Sequence, residues 1–250
     1  MPAKQQDATR LKFSRGNAKL GREVWTFSLP AGHTCPGAKD CLAKVGLNAD
    51  GKRTLQEGKD TRFRCFAASD ELLYPATFAA RRYNFELLRP LRSSAAIAQL
   101  IMASLPKKMD VMRVHVSGDF FSRNYFDAWM QVARQRPDTT FYAYTKSLHF
   151  YTDWLREHGA LPDNFKITAS EGGKFDAHIK EHELVFSRVV FHPEEAKKQK
   201  LKIDKDDKLA MASEKSFALL IHGGSAKGSD QSKAMARMRK EGVSFSYGRK

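Results

Sequence analysis

The sequence has few cysteines and no long apolar run. Only three of its 250 residues are cysteine, and three thiols cannot all pair with one another in disulfides. No stretch approaches the length that a membrane-spanning helix needs. The first ten residues, MPAKQQDATR, lack the apolar segment of a secretory signal. We therefore expect a soluble, cytoplasmic protein with reduced thiols and no membrane contact.

Acidic residues are scarce relative to basic ones. The chain has 43 lysines and arginines against 28 aspartates and glutamates, a net charge of +15 and a pI of about 9.8. Such an excess favours a polyanionic partner, with nucleic acid the first candidate. The alternative is a basic surface without a specific partner. The tract Glu194–Lys208 carries many of the lysines together with acidic residues, which is typical of a solvated linker or helix.

The remaining composition is that of a folded domain. Hydrophobic residues make up 42% of the chain, enough for a sizeable core. No internal repeat or Gly/Pro-rich linker divides the sequence, so we expect a single α/β domain over residues 1–250. Within it, residues 1–21 read as a basic arm and residues 46–61, rich in Gly, Asp and Lys, as a loop or hairpin insert.

Six β-branched or aromatic segments are separated mostly by segments with helical periodicity. The predicted strands are Val24–Leu29, Val111–Val116, Thr140–Thr145, Phe165–Ala169, Leu184–Phe191 and Phe217–Ile221. Strand–helix alternation predicts parallel strands joined by right-handed crossovers. Both a doubly wound sheet and a partial (β/α)6 barrel fit this pattern.

Polar residues of the types that take part in catalysis or ligand binding follow the predicted strands. They are Cys35, Asp119, Lys146, Glu171, His192 and His222. In barrels the active site forms at the carboxyl ends of all the strands, whereas an open sheet uses mainly its switch point. This distribution favours the partial barrel, although strands also end in polar turns without any function.

All three cysteines lie in one part of the chain, just after the first strand. Cys35 and Cys41 fall in FSLPAGHTCPGAKDC, and Cys65 follows the insert in RFRCFA. Three thiolates with His33 could form a Cys3His zinc site, and three thiolates alone could hold a [4Fe–4S] cluster with one iron open to a small ligand. Three ordinary buried thiols are the third possibility.

Two other strand-end residues are candidates on chemical grounds. Asp119, after Gly118, could accept a hydrogen bond from a ligand ammonium group, or it could cap a turn. Lys146 could act as a Schiff-base or phosphate-binding lysine, or it could be a solvated strand-end lysine.

The stretches FSLPAGHTCPGAKDC, RCFA, HVSGDFFS and FYAYTKS resemble the signatures of a family of phage and plasmid proteins related to mycobacteriophage gene product eighty-eight. The resemblance places a CP-x-A-x-x-C element on Cys35 and Cys41 and a C-[FY]-A element on Cys65. It covers roughly residues 25–173, and more loosely the segment LLIHGG. The family implies phage or plasmid origin and little about activity.

A more distant resemblance is to radical S-adenosylmethionine enzymes, which are partial (β/α)6 barrels with three cluster cysteines after the first strand. The order is similar here: cysteines follow the first strand, and Ser117-Gly118-Asp119 follows the second. The resemblance implies a [4Fe–4S] cluster on Cys35, Cys41 and Cys65. It also implies an S-adenosylmethionine site that includes Gly118 and Asp119, to which the strand-end residues Lys146 and Glu171 are added.

Together these observations predict a radical-SAM-like iron–sulfur protein, and so an enzyme, acting on or near a nucleic-acid or nucleotide substrate. The alternative is a non-catalytic, basic nucleic-acid-binding protein whose cysteines hold a structural zinc ion. The sequence leaves substrate, reaction and oligomeric state open.

Overall fold

The computed structural model describes residues 9–17 and 19–244. Its strands are β1 Ser14–Asn17, β2 Gly21–Ser28, β3 Ala43–Leu47, β4 Arg53–Glu57, β5 Val111–Ser117, β6 Thr140–Thr145, β7 Phe165–Ser170, β8 Phe186–Val190, β9 Lys202–Ile203 and β10 Phe217–Leu220. Its helices are α1 Phe66–Leu73, α2 Pro75–Leu88, α3 Ser94–Ser104, α4 Arg123–Gln135, α5 Leu148–His158, α6 Ala177–Glu181, α7 Pro193–Lys198, α8 Lys208–Ala212 and α9 Asp230–Lys240.

Eight of the strands form one sheet in the order β1-β2-β5-β6-β7-β8-β10-β9. Only the β1–β2 pair is antiparallel, and every other neighbouring pair is parallel. The six strands predicted from the sequence correspond to β2, β5, β6, β7, β8 and β10. The predicted α/β class with mainly parallel strands is therefore confirmed.

The two faces of this sheet differ in what covers them. On the face that we call the helical face, Met112, Val114 and Phe141 pack in one core with the helices α3, α4 and α5. Helix α9 covers the same face farther along, through Met235 and Met238 against β8 and β10. Because alternate residues of a strand point to opposite sides, Arg113, Tyr142 and Tyr144 lie on the other face, the inner face.

The inner face carries a buried polar cluster with an aspartate at its centre. Asp207, at the start of α8, accepts hydrogen bonds from Arg113 (2.6 Å), Tyr142 (3.2 Å) and Tyr144 (3.0 Å) and pairs with Lys19 (2.5 Å). Its side chain is fully buried. We call these five residues the Asp207 cluster, and it ties α8 to the strands β5 and β6.

Two segments outside the six predicted strands contain strands of their own. Within residues 1–21, β1 pairs with β2, with Ser14 opposite Thr26, and extends the sheet by one antiparallel strand. The antiparallel hairpin β3–β4 begins at Ala43, before the predicted loop or hairpin insert, and ends within it; Asn48 Oδ1 accepts from the backbone N–H groups of Asp50 and Lys52 and so forms the turn. Its buried residues Ala43 and Val45 pack in one cluster with α1 and α2.

Among the described residues, no helix combines the length and the apolar character required to cross a membrane.

Candidate functional site

The first cysteine is held in a tight loop that follows β2. Gly118 has φ +82° and stands so close to this loop that a Cβ there would lie 2.7 Å from Leu29 Cβ and 2.6 Å from Thr34 Oγ1. Leu29 N–H donates to the Ser117 carbonyl at 2.9 Å, and Gly32 N–H donates to Cys35 Sγ at 3.3 Å. The loop of Cys35 is therefore fixed against the end of β5.

The segment that leads to the second cysteine pairs with the loop after β7. Ala38 forms an isolated antiparallel bridge with Gly173, and Asp40 N–H donates to the Gly172 carbonyl at 3.0 Å. A Cβ on Gly37 would lie only 2.0 Å from the Lys146 carbonyl oxygen, so only glycine fits there without a shift of the backbone. Cys41 thus lies beside the ends of β6 and β7.

The third cysteine precedes α1 and lies next to the end of β10. Arg64 N–H donates to Gln231 Oε1 at 2.9 Å, which connects this segment to α9. A Cβ on Gly223 would lie 2.7 Å from Phe66 Cβ, so the glycine allows the loop after β10 to approach α1 closely. The β3–β4 hairpin separates Cys41 from Cys65 in sequence but leaves both at the same edge of the sheet.

All three cysteines line a single cavity of about 180 Å³ at the carboxyl ends of the parallel strands. Gly118, Asp119 and Lys146, from the ends of β5 and β6, line it as well. Ser170 and His222 contribute from the ends of β7 and β10. The cavity therefore collects residues from five strand ends, whereas Glu171 and His192, which also follow strands, do not line it.

The spacing of the thiols bears on which metal could bind. Among the described residues, the three cysteine sulfurs do not form a set within 4.8 Å of one another. A single zinc ion with bonds of about 2.3 Å holds its sulfur ligands only about 3.8 Å apart. As placed, the three sulfurs are therefore not preformed to share one zinc ion.

His33, the fourth ligand of the possible zinc site, is directed elsewhere. Its Nε2 is 2.9 Å from the Val45 carbonyl oxygen and 3.3 Å from Arg82 Nη2, on the side of the β3–β4 hairpin. It does not line the cavity. A Cys3His arrangement would need this ring to leave both partners.

The environment of the thiols disfavours their negative charge. Burial, together with the charge of the neighbouring Cys41, raises the pKa of Cys65 to about 12. Burial and the charges of Asp119, Cys65 and Cys41 raise the pKa of Cys35 well above its usual value. Burial also raises the pKa of Cys41, although Lys146 opposes this. Three thiolates in one cavity therefore need a bound cation to offset their charge.

Asp119 is buried at the cavity wall and joins two strand ends. Its Oδ1 accepts from Phe120 N–H (2.7 Å) and Thr145 Oγ1 (2.6 Å), and its Oδ2 accepts from Lys146 N–H (2.8 Å). Burial raises the pKa of this carboxyl group, while the hydrogen bonds oppose the rise. A carboxylate has about four lone-pair sites. Asp119 can therefore accept one further hydrogen bond from a ligand.

Lys146 and Glu171 are engaged in contacts of their own. Lys146 Nζ donates to the Ser170 carbonyl (2.9 Å), to Ser170 Oγ (3.1 Å) and to the Glu171 carbonyl, which uses its three donors. The Glu171 carboxylate forms a two-pronged ion pair with Arg188 in a neighbouring groove and does not line the cavity. Both side chains brace strand ends, and neither has a spare group directed at the cavity.

Sequence reasoning missed a buried glutamate that supports the site. Glu71 Oε1 accepts from Ala31 N–H (2.8 Å) and from Arg81 Nη1 (3.0 Å), with Ser117 Oγ at 3.4 Å. It thereby joins α1 and α2 to the cysteine loop and to the end of β5. Glu71 lies in a helix, α1, whose sequence contains no pattern that would predict a buried glutamate.

Arg113, which also lines the cavity, was missed too, although the sequence does contain a signal for it. A charged residue in the middle of the apolar strand VMRVHV is expected to be buried and paired. The sequence does not identify its partner, because Asp207 lies 94 residues away.

Comparison with known proteins places these features in a family. A family model described as gene product 88 matches residues 11–240. The chain is 31% identical over 141 residues to the Gene 88 protein of Mycobacterium phage L5, covering 52% of this chain and 51% of the phage protein. It is also 31% identical over 177 residues to the Gene 88 protein of Mycobacterium phage D29, covering 64% of this chain and 65% of that protein.

The matched region thus spans about half of one curated relative and about two thirds of the other. No solved structure matches this chain. Since the family model covers most of the sequence, including all three cysteines and the ends of β5, β6, β7 and β10, the chain belongs to the gene product 88 family.

Proposed function

We propose that this protein is an iron–sulfur protein of the radical S-adenosylmethionine type that acts on or near a nucleic-acid or nucleotide substrate. One observation carries the proposal. Three cysteines from separate loops line one cavity at the carboxyl ends of parallel strands.

The arrangement of the sheet supports a partial (β/α)6 barrel. The strands β2, β5, β6, β7, β8 and β10 are neighbours in chain order, without the reversal that marks a doubly wound sheet. Helices α3, α4, α5 and α9 pack on the helical face, while the inner face holds the Asp207 cluster. The helices that connect β5, β6 and β7 lie on one face, as the crossover helices of a barrel do, whereas the short α8 between β9 and β10 lies against the inner face.

In this proposal Cys35, Cys41 and Cys65 hold a [4Fe–4S] cluster. When bound, such a cluster supplies an electron for reductive chemistry on S-adenosylmethionine. Three protein ligands leave one iron open to a small ligand. The narrow loop at Gly118 and the remaining acceptor capacity of Asp119 then suit the amino group of the cosubstrate. Lys146 and Glu171 keep the bracing contacts described above and are left out of the cofactor site.

The net charge of +15 supports a polyanionic substrate or partner. Three cationic residues, Arg64, Arg113 and Lys146, are among those that line the cavity, which suits a phosphate-bearing substrate near the cysteines.

Metal analysis after anaerobic purification and reconstitution with iron and sulfide tests the cluster. We expect about four irons and four sulfides per chain with thiolate-to-iron absorption. Cys35→Ala, Cys41→Ala and Cys65→Ala should each lose most of the iron. His33→Ala is the matched control, since it alters the same loop but should keep the iron. One zinc per chain, lost in His33→Ala as well, would support the structural zinc protein instead.

A calorimetric titration with S-adenosylmethionine tests the cosubstrate site. Asp119→Asn should weaken binding at least tenfold, because it removes the carboxylate charge that would face the ammonium group of the ligand. The same substitution also alters hydrogen bonds between β5 and β6. Thr145→Val is therefore the control, because it removes one of those bonds and keeps the carboxylate. Equal losses in both variants would remove Asp119 from the cosubstrate site.

Binding to labelled single-stranded and duplex nucleic acid, followed by fluorescence anisotropy over a series of salt concentrations, tests the partner. Counterion release predicts affinity that falls steeply with salt and depends weakly on sequence. Absence of binding at low salt would exclude nucleic acid as the partner and leave the cluster proposal standing.

A further inference from the structure

A group of side chains of the types that can ligate metals lies on and just after α6, away from the cysteines. The sequence HIKEH places His178, Glu181 and His182 at positions i, i+3 and i+4, which lie on one side of a helical turn. One ligand atom of each residue lies within 4.8 Å of the others. Among the described residues, this is the one set of three His, Cys, Asp or Glu residues that meets this distance.

We propose that His178, Glu181 and His182 bind a divalent transition-metal ion of the zinc class. Two imidazoles and one carboxylate form a recognised zinc ligand set, in which a water molecule takes the fourth position. The proposal involves none of the cavity residues and is independent of the cluster.

The hydrogen bonds of a neighbouring threonine prepare one histidine for this role. Thr152 Oγ1, on α5, lies 3.1 Å from the Leu148 carbonyl oxygen and 2.8 Å from His178 Nδ1. A hydroxyl group has one proton, so if that proton is donated to the carbonyl oxygen, the contact with His178 is a bond that the ring N–H donates. This assignment protonates Nδ1 and leaves the lone pair on Nε2 to bind a metal. Metal-binding histidines are commonly oriented in this way through their second nitrogen.

The other two ligands are free enough to close around an ion. His178 is half-buried, whereas Glu181 and His182 are exposed. The rings of His178 and His182 are nearly parallel, 18° apart, with centroids separated by 5.7 Å. A tetrahedral ion with bonds of about 2.1 Å holds its ligand atoms about 3.4 Å apart. Small rotations of the two exposed side chains are sufficient to reach that spacing.

The position of α6 gives the ion a structural consequence. Asp176, just before the helix, accepts from the N–H groups of Gly172 and Gly173 at 2.8 Å each. These glycines contact the loop between Cys35 and Cys41 through Ala38 and Asp40. An ion on α6 should therefore stiffen a segment that supports the cysteine loop.

Calorimetric titration of the full-length protein with Zn²⁺ tests the site. His182→Ala should remove one equivalent of bound zinc or weaken that class of site at least tenfold, since an exposed ligand is lost without disturbing the fold. Lys180→Ala is the matched control on the same helix and should bind as the wild type does. Unchanged zinc binding in His182→Ala, or an equal loss in Lys180→Ala, would overturn the proposal.

Thr152→Val tests whether the contact with Thr152 orients His178 for metal binding. Loss of the contact between Thr152 Oγ1 and His178 Nδ1 should weaken zinc binding by about 10- to 100-fold, although all three ligands remain. Nitrogen NMR of the imidazoles gives a direct reading: zinc should shift Nε2 of His178, while Nδ1 stays protonated. A zinc-induced shift at Nδ1, or wild-type affinity in Thr152→Val, would contradict the assigned geometry.

Discussion

The inner face of the sheet holds two buried polar regions that differ in whether their acidic groups have basic partners. In the Asp207 cluster, one carboxylate pairs with Arg113 and Lys19 and accepts hydrogen bonds from Tyr142 and Tyr144. Burial raises the pKa of Asp207, but Arg113 and Lys19 outweigh it and hold the pKa below its usual value. The cysteine cavity, a short distance along the same strands, contains thiols whose pKa values are all raised.

The two regions differ in which charges the chain itself supplies. The Asp207 cluster supplies both signs of charge and serves the fold. The cavity groups three potential anions, and two cationic side chains that line it are engaged elsewhere, Arg113 with Asp207 and Arg64 with Glu57. In the proposed function a bound metal supplies the balancing positive charge. Buried groups of the second kind are typical of functional sites.

Asp207→Asn, which removes the acidic group of the Asp207 cluster, should have the largest effect on stability. It removes the buried carboxylate that Arg113 and Lys19 share, and we expect a loss of about 3–5 kcal/mol in the free energy of unfolding. Asn tolerates the left-handed backbone at this position (φ 62°), so strain should add little. Urea denaturation measures the loss. Asp206→Asn, a neighbour with a partly exposed pair to Lys208, should change stability by less than about 1 kcal/mol.

Metal loading should stabilise the cavity and leave the Asp207 cluster unaffected. If the ligand is present at about 100 times its Kd, the wild type should gain about 3 kcal/mol. Cys65→Ala should lose that gain while its metal-free stability changes little, because a protonated buried thiol packs as a small hydrophobe. Urea denaturation before and after anaerobic reconstitution gives both values. An equal gain in Cys65→Ala would place the metal elsewhere.

His115, in β5, should make stability depend on pH; its ring packs against Phe120, and its Nε2 lies 2.9 Å from the Tyr125 hydroxyl oxygen. Burial, and then the charge of Arg113, lower its pKa to about 3. Since this value lies below the unfolded value of about 6.5, the contribution of His115 is complete above pH 6.5 and is lost as the pH falls. The loss should reach about 2–3 kcal/mol at pH 4.

His115→Asn should flatten the pH dependence of stability between pH 6.5 and pH 4. Asn suits the positive φ of this position (68°) and does not titrate. Stability curves measured at several pH values for both proteins isolate the difference. Parallel curves for wild type and variant would show that the imidazole charges without cost.

Glu171→Gln should have the smallest effect. Its ion pair with Arg188 is partly exposed, so we expect a loss of at most about 1 kcal/mol. Iron content should stay at the wild-type level because the carboxylate lies outside the cavity. A loss of iron in this variant would return Glu171 to the cofactor site.

The positions of the main strands could be read from the sequence because each has a local cause. VMRVHV and TFYAYT are β-branched or aromatic runs that end in turn residues, and they become β5 and β6. Parallel pairing followed from the helical segments between strands. The strand β1 and the hairpin β3–β4 were harder to predict, because β1 depends on its pairing with β2 and the hairpin on packing against α1.

The candidate site divides in the same way. The clustering of cysteines in one stretch of sequence indicated where chemistry would be, and the structure brings Cys65 to the cavity of Cys35 and Cys41. The directions of Lys146 and Glu171 could not be predicted. Both follow a strand, as Asp119 does, but their side chains are drawn to Ser170 and Arg188 by contacts that depend on the adjacent strands.

The sequence by itself determined the α/β class, the six main parallel strands and the segment that carries the thiols, since these depend on residue type and local spacing. Only the tertiary structure decided which charges are satisfied. Arg113 and Asp207 are 94 residues apart, and Gly37 meets Lys146 across two loops. Local pattern carries no information about such contacts, because a buried charge selects its partner by distance in space.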